Sequence, residues 1–228
     1  MFNKFDTIRP YTKGETCRTF PVYYPPQHQD IQPGMEYLMK PLPVFDDSNY
    51  RGSGKLKDKV AIITGGDSGI GRAVAVFYAK EGAKLVLVYY NEEMDANDTK
   101  DYIERLGGEV LLIHGDLKNK DFSNFIVNET LDCYGKIDIL VNNAGVQYFA
   151  DNLTDISNEQ FDYTMKSNIY SMFYLTKAVL PYLKSGSSII NTTSITTYNG
   201  EGDLIDYVTS KGAIVGFTRA LATNLAPK

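Results

Sequence analysis

From Lys59 onward the chain alternates short apolar runs with longer segments whose apolar residues recur every three or four positions. The runs Lys59–Thr64, Lys84–Tyr90, Glu109–His114, Ile137–Val141 and Ser188–Thr192 have the length of strands. Helix patterns separate them near Ile70–Glu81, Asp95–Leu106, Lys120–Tyr134 and Asn158–Lys184, and one more follows near Leu204–Leu225. Strands spaced by helices of this length must run parallel, joined by right-handed crossovers, with helices covering both faces. The expected fold is therefore α/β, a doubly wound parallel sheet of Rossmann-like form. Local signals agree with the boundaries: Ser157 and Gln160 have capping-box spacing ahead of the fourth helix, and Gly107-Gly108 stop the second.

Residues 1–55 have a different composition. Seven of the nine prolines lie here (Pro10, Pro21, Pro25, Pro26, Pro33, Pro41 and Pro43), among many Tyr, Gln and Asp residues and without a period of 2 or 3.6. Proline fixes φ and removes a donor, so this stretch cannot supply long helices or central strands. It is expected to be an extended arm, lying on the body or reaching a neighbouring subunit, ahead of a single domain at 56–228. The net charge of −5 lends no support to binding of nucleic acid or an anionic membrane. No apolar run approaches the roughly 18–20 residues of a membrane span, and Met1–Asp6 has no apolar core of a signal peptide. Cys17 and Cys133 are too few and too far apart for a disulfide framework or a metal site, and are expected to be free thiols in a reducing cytoplasm. His28 and His114, the only histidines, give no metal site either.

Directly after the first strand pattern comes Thr64-Gly65-Gly66-Asp67-Ser68-Gly69-Ile70-Gly71-Arg72. Glycines at 65, 69 and 71 sit between a strand and a helix, where a pyrophosphate needs close backbone approach and the positive end of a helix. Further along, Tyr207 and Lys211 stand four apart and share a helix face. A phenol of reference pKa ~10 is a poor base near neutrality, and an adjacent ammonium makes it a better one. With 17 tyrosines in the chain, one such spacing arises by chance, so position has to decide.

Position does decide. Thr64–Gly71 resembles the cofactor loop of short-chain dehydrogenases/reductases, and other segments agree in order and distance. Asp116, followed by Leu117, resembles the acid that contacts adenine in that family. Asn142-Asn143-Ala144-Gly145 matches the segment that supports the sheet and lines the cofactor. Asn168, Ser194, Tyr207 and Lys211 fall where the family places its catalytic tetrad. The resemblance covers 56–228, and Pro25–Gly34 is similar to the leader of a bacterial subgroup of uncharacterised oxidoreductases and general stress proteins.

The resemblance implies hydride transfer between a nicotinamide cofactor and a carbonyl or alcohol substrate. Tyr207 would move the proton and Ser194 orient the oxygen. Lys211 would tune Tyr207 and hold the ribose, while Asn168 would keep a water that links Lys211 to solvent. The implied cofactor contacts are Thr64, Gly65, Asp67, Ser68, Gly69, Ile70, Gly71, Tyr89, Asp116, Leu117, Asn143, Ala144 and Gly145, with Tyr207 and Lys211. NAD is favoured over NADP, because Tyr89, Tyr90 and Ser68 occupy positions where the family reads the 2′ group and none is a cation; Arg72 remains within reach of a 2′-phosphate. A homo-oligomer through the last two long helices is implied as well. The family pattern continues past Lys228 with further strands and a substrate lid. The expectation is a C-terminally truncated chain whose Ser188–Thr192 strand is left at a sheet edge, prone to aggregate and of doubtful activity. A non-catalytic dinucleotide-binding protein, or a gene fragment, is the alternative; an extended nucleotide-sugar epimerase is disfavoured by length and loop spacing.

Overall fold

The computed structural model describes residues 11–13, 19–21 and 25–226; Cys17 and Pro10 lie outside them. Two three-residue strands, β1 (Tyr11–Lys13) and β2 (Thr19–Pro21), form an antiparallel pair. Residues 25–55 then run as irregular chain with one 3₁₀ turn, Glu36–Leu38. They lie against the helices of their own chain: Asp46 pairs with Lys80, and Glu81 accepts from Tyr50 Oη and from the backbone N–H groups of Ser53 and Lys55.

The main sheet has five parallel strands in the order β5 (Glu109–His114), β4 (Lys84–Tyr89), β3 (Val60–Thr64), β6 (Ile139–Asn142) and β7 (Ser188–Asn191). The chain winds outward from β3 in one direction, then returns and winds outward in the other. The crevice at that reversal opens beside the C-terminal ends of β3 and β6. Alternate residues of a strand face opposite sides, which divides the core in two. Ala61, Ile63, Leu85 and Leu87 pack under α1 (Gly69–Lys80) and α2 (Glu93–Arg105) through Ala75, Val76 and Ile103. Ile62, Val86 and Val88 pack under α3 (Lys120–Tyr134) and α5 (Ser171–Val179) through Ile126, Val127, Leu175 and Val179.

The predicted elements are present, with ends moved by a residue or two, and with one correction. The predicted helix Asn158–Lys184 is not one regular helix. It comprises α4 (Asn158–Met165), a π turn at Lys166–Tyr170, α5, and a 3₁₀ turn Leu180–Tyr182 that carries Pro181. Ser157 caps α4 by accepting from Gln160 N at 3.0 Å, but the Gln160 side chain turns away to Asp206 instead of closing the box. After β7 come the short α6 (Thr196–Asn199) and α7 (Ile205–Leu225). Helix α7 is buried at Asp206, Ser210, Lys211 and Ile214 and is otherwise open or half-open, less enclosed than its apolar content suggests. No helix among the described residues is long and apolar enough to cross a membrane.

Candidate active site

A cleft of about 440 Å³ runs along the C-terminal ends of β4, β3 and β6 to the first turns of α7. Its floor is the turn from β3 into α1. The Thr64 hydroxyl accepts from Asn143 N at 2.9 Å and Ala144 N at 3.0 Å, and Asn143 Nδ2 donates to the carbonyls of Thr64 and Gly65 at 3.2 Å each. These bonds tie the ends of β3 and β6 together beneath the two loops that line the cleft. Gly71 packs against the Gly65 carbonyl so closely that any Cβ would collide with it. Gly69 has φ +51° and open space where a side chain would stand. The cleft thus meets backbone at the start of α1, where the first N–H groups of a helix lack partners within it. A dinucleotide pyrophosphate fits this cradle.

Of the predicted cofactor contacts, Gly65, Asp67, Ser68, Gly69, Ile70, Tyr89, Asp116, Leu117, Asn143, Ala144, Gly145, Tyr207 and Lys211 line the cleft. Thr64 and Gly71 do not: both are buried behind the wall and hold it in shape. The expectation that Arg72 reaches a 2′-phosphate is corrected. Its guanidinium is buried away from the cleft, on Glu36, Thr99 Oγ1 and the Asp95 carbonyl.

The end of the cleft beside the loops after β3 and β4 carries more negative charge than the sequence suggested. Asp67 and Glu92, both nearly inaccessible, line the cleft from the loops after β3 and β4. Burial, reinforced by the charge of Glu92, pushes the Asp67 carboxyl up to about 6. Tyr89 also lines the cleft, and its hydroxyl donates to Glu93 at 2.8 Å; burial, then the bond to Glu93, raises it to about 12. Lys118 was not anticipated. Its ammonium pairs with Asp116 at 3.0 Å and lies over the rings of Tyr90 and Tyr163, 5.0 and 4.4 Å from their centres. Burial alone would lower its pKa, but its bonds to Asp116 and Tyr163 outweigh that and raise it. Gln32 and Pro33, from the N-terminal arm, close the same side.

At the other end Tyr207 and Lys211 face the cleft from successive turns of α7, the Lys211 ammonium 5.5 Å from the Tyr207 ring centre. Lys211 Nζ donates to the Thr192 carbonyl at 3.0 Å, and burial brings its pKa down to about 8. Asn168 sits in the π turn, fully buried. Its side chain accepts from Val146 N at 2.8 Å and donates to Val146 O and Ser210 Oγ. Gly145 lies between Asn168 and Lys211: a Cβ there would be 3.2 Å from Asn168 Oδ1 and 3.4 Å from Lys211 Nζ. The structure therefore gathers Asn168, Tyr207 and Lys211 around Gly145-Val146, with Asn168 behind the wall. Ser194 is not part of the wall; it lies in the turn before α6, where its Oγ accepts from Thr196 N and Thr196 Oγ1. Among the described residues no group of His, Cys, Asp and Glu converges as a metal site.

Comparison with known proteins gives this geometry a context. Residues 59–228 match the family model described as short chain dehydrogenase. The chain is 55% identical over 203 residues to the uncharacterized oxidoreductase YhdF of Bacillus subtilis, an alignment spanning 89% of this chain and 70% of that protein. It is 43% identical over 208 residues to the NADPH-dependent aldehyde reductase 1, chloroplastic, of Arabidopsis thaliana, across 89% and 72% of the two chains. A short chain dehydrogenase from Burkholderia cenocepacia, solved in complex with NADP, superposes with a TM-score of 0.73 at 30% identity, over 76% of this chain and 71% of that one.

Proposed function

This chain belongs to the short-chain dehydrogenase family, and from that premise we propose that it interconverts a carbonyl compound and its alcohol, with Tyr207 as the proton carrier and residues 56–228 as the catalytic unit. The observation that carries the reading is the single cleft that has the glycine-rich turn at one end and Tyr207 with Lys211 at the other. A nicotinamide dinucleotide bound along it supplies or accepts the hydride. Tyr207 gives its hydroxyl proton to the substrate oxygen in reduction and takes it back in oxidation. Ser194 lies outside the cleft wall in this structure, and its proposed part is to turn toward that oxygen and donate its own hydrogen, which the two bonds its Oγ accepts from Thr196 leave unused. Lys211 is anchored by one bond to Thr192 O, which leaves two ammonium hydrogens for a ribose hydroxyl and for stabilising negative charge on Tyr207. Asn168 holds the Val146 backbone against Ser210, and so fixes the wall beside Lys211.

For the cofactor, we favour NAD(H). Asp67 and Glu92 place two carboxylates where an extra phosphate would add two more negative charges, and Arg72 is already engaged. Lys118, the cation on that side, is paired with Asp116. The Burkholderia relative bound NADP and the Arabidopsis relative is named for NADPH, so the preference belongs to these particular residues. We further propose a cytoplasmic enzyme, in keeping with the free, exposed Cys133, and a homo-oligomer. Phe161, Tyr170 and Phe173 leave an aromatic face 42–45% exposed along α4, the π turn and α5; light scattering that finds only monomer at micromolar concentration removes the oligomer.

The test of the reaction is Tyr207→Phe. Turnover should fall by about a thousandfold, while the dissociation constant for NADH stays within about twofold, because the ring remains and only the transferable proton is lost. Wild-type kcat in the variant would remove Tyr207 from the mechanism.

A further inference from the structure

The N-terminal arm reaches the cleft with two residues and reaches the glycine-rich turn, from behind, with a third. Its 3₁₀ turn Glu36–Leu38 is seated on α2: Asp95 accepts from Glu36 N at 2.7 Å and Tyr37 N at 3.0 Å. That seating drives the Glu36 side chain inward until it is 4% exposed. One carboxylate oxygen accepts from Gly69 N at 2.5 Å, and the other accepts from Arg72 Nη1. Arg72 Nε in turn donates to Thr99 Oγ1, which donates to the Asp67 carbonyl at 2.6 Å. The Arg72 guanidinium also lies 4.7 Å from the centre of the Phe45 ring, another arm residue. The backbone of the turn is thus gripped at two points, Gly69 N–H and Asp67 C=O, by a network that runs through the arm. Both residues line the cleft on their other side, as do Gln32 and Pro33 just upstream of Glu36.

A buried carboxylate at the first turn of a helix is stabilised by the free N–H groups there and by a paired cation. Glu36 has both. The arrangement leaves Gly69, whose φ of +51° has no side chain to restrain it, with its N–H pointed away from the cleft. We propose that the arm segment Gln32–Glu36 is a working part of the dinucleotide site, with Glu36 the positioning residue that holds the glycine-rich turn in its binding shape. The proposal rests on the reading of this cleft as a dinucleotide site. It differs from a purely structural role, which would raise the stability of the fold without changing the affinity of folded molecules.

Glu36→Gln tests it, because glutamine offers one acceptor oxygen to two donors and cannot satisfy Gly69 N–H and Arg72 together. Calorimetric titration with NADH and with ADP-ribose should show about tenfold weaker binding of both. KM for the cofactor should rise in step while kcat stays within about threefold. Glu36→Leu/Arg72→Met removes both members of the buried pair and leaves Gly69 N–H without its acceptor, so binding should stay weak; recovery to wild-type affinity would overturn the proposal in favour of charge balance alone. Glu81→Gln loosens the other end of the arm and should leave the affinity unchanged. Hydrogen exchange on the wild-type chain needs no variant. NADH should protect the amides of 36–38 together with those of 67–72, and indifference of 36–38 would overturn the proposal. Equal affinity of wild type and Glu36→Gln overturns it too, leaving the cleft reading intact. A wild-type chain that binds neither NADH nor ADP-ribose overturns the cleft reading and this inference with it.

Discussion

β4 and β7 carry similar side chains, Leu85-Val86-Leu87-Val88 against Ile189-Ile190, in the same parallel sheet. In β4 all four are fully buried, between α1 and α2 on one face and α3 on the other. In β7, an edge strand among the described residues, Ile190 is 43% exposed and Ile189 only partly covered. The contrast continues into the cleft. Its glycine-rich end is held by Thr64, Asn143, Gly71 and the arm, whereas the end at Tyr207 and Lys211 rests on β7, a short α6 and the first half of α7. Sequence alone marks both strands as apolar, and it is the neighbours that decide how much each residue contributes. The two ends of one site therefore differ in how tightly the fold holds them.

The largest test of that contrast is a pair of truncations. Leu87→Ala should cost about 3–5 kcal/mol, since it removes a fully buried side chain and leaves a cavity between α1 and the sheet. Ile190→Ala, at a half-open position, should cost about 1 kcal/mol or less. Urea melts of both variants decide it, and equal losses would show that the β7 edge is covered in solution.

Next comes Asp67→Asn, which probes the nucleotide end by charge. The folded pKa of Asp67 is about 6, above the ordinary 3.8, because burial and Glu92 penalise its ionised form. Stability from this group is therefore present below about pH 3.8 and lost as pH rises through 6. At pH 7 the asparagine variant should be more stable, by at most about 3 kcal/mol. The same change should narrow the gap between NADP(H) and NAD(H) affinity at pH 7. In the wild type that gap should narrow as pH falls from 7 to 5, and in Asp67→Asn the part due to the 2′-phosphate alone should remain. A gap that is the same in both proteins at pH 7 would remove Asp67 from cofactor choice.

Much of this molecule is visible in its sequence, for a physical reason. The strand runs, the glycine turn, Asn142–Gly145, and Tyr207 with Lys211 all lie close along the chain to the elements that place them, so spacing carries their geometry. What stayed hidden depends on contacts between distant segments. Nothing local in an aperiodic Pro-rich stretch says that Glu36 will meet Gly69 and Arg72. Asn168 was singled out by its likeness to the family's tetrad, but the π turn around it and its bonds to Val146, 22 positions earlier, were not visible in the sequence. Lys118 owes its place to rings from β4's exit and from α4. Asp67 was read as a cofactor contact, but its pairing with a second buried acid, Glu92, was not. Their adjacency follows from β3 and β4 being parallel neighbours, a relation the fold class already implied.

At the catalytic end the corresponding probe is the pH dependence of Lys211. Burial lowers its folded pKa from 10.5 to about 8. The folded state therefore disfavours its charged form, and this contribution to stability rises as pH climbs from about 8 to 10.5. Catalysis should follow the opposite sign. The ammonium that supports Tyr207 is lost above about pH 8, so kcat/KM for carbonyl reduction should decline there. Lys211→Arg, which stays charged, should carry whatever activity it retains to higher pH. A wild-type profile flat from pH 7 to 10 would mean that bound cofactor restores the ammonium or that its charge is not used.

The smallest effect expected concerns the trailing end of the arm. Glu81 accepts from the Tyr50 hydroxyl and from the N–H groups of Lys55 and Ser53, which together hold its carboxyl down to about 2. A depressed acid stabilises above its ordinary pKa of 4.5, and that help is lost as pH falls from there toward 2. Glu81→Gln keeps the size of the side chain but leaves one acceptor oxygen for donors that now share two. The expected outcome is faster proteolytic cleavage between residues 40 and 55 with little change in the melting of the sheet, because none of these bonds touches β3 or β4. Limited trypsin digestion at pH 7 measures it: cleavage would rise after Arg51 and Lys55. If cleavage stays at the wild-type level, this stretch of the arm is held by its other contacts, Asp46 on Lys80 and Tyr102 and Phe45 on Tyr102 and Arg72. That result would leave Glu81 no part in the grip, and the arm would still be held at both ends of α1, unlike the open edge of β7.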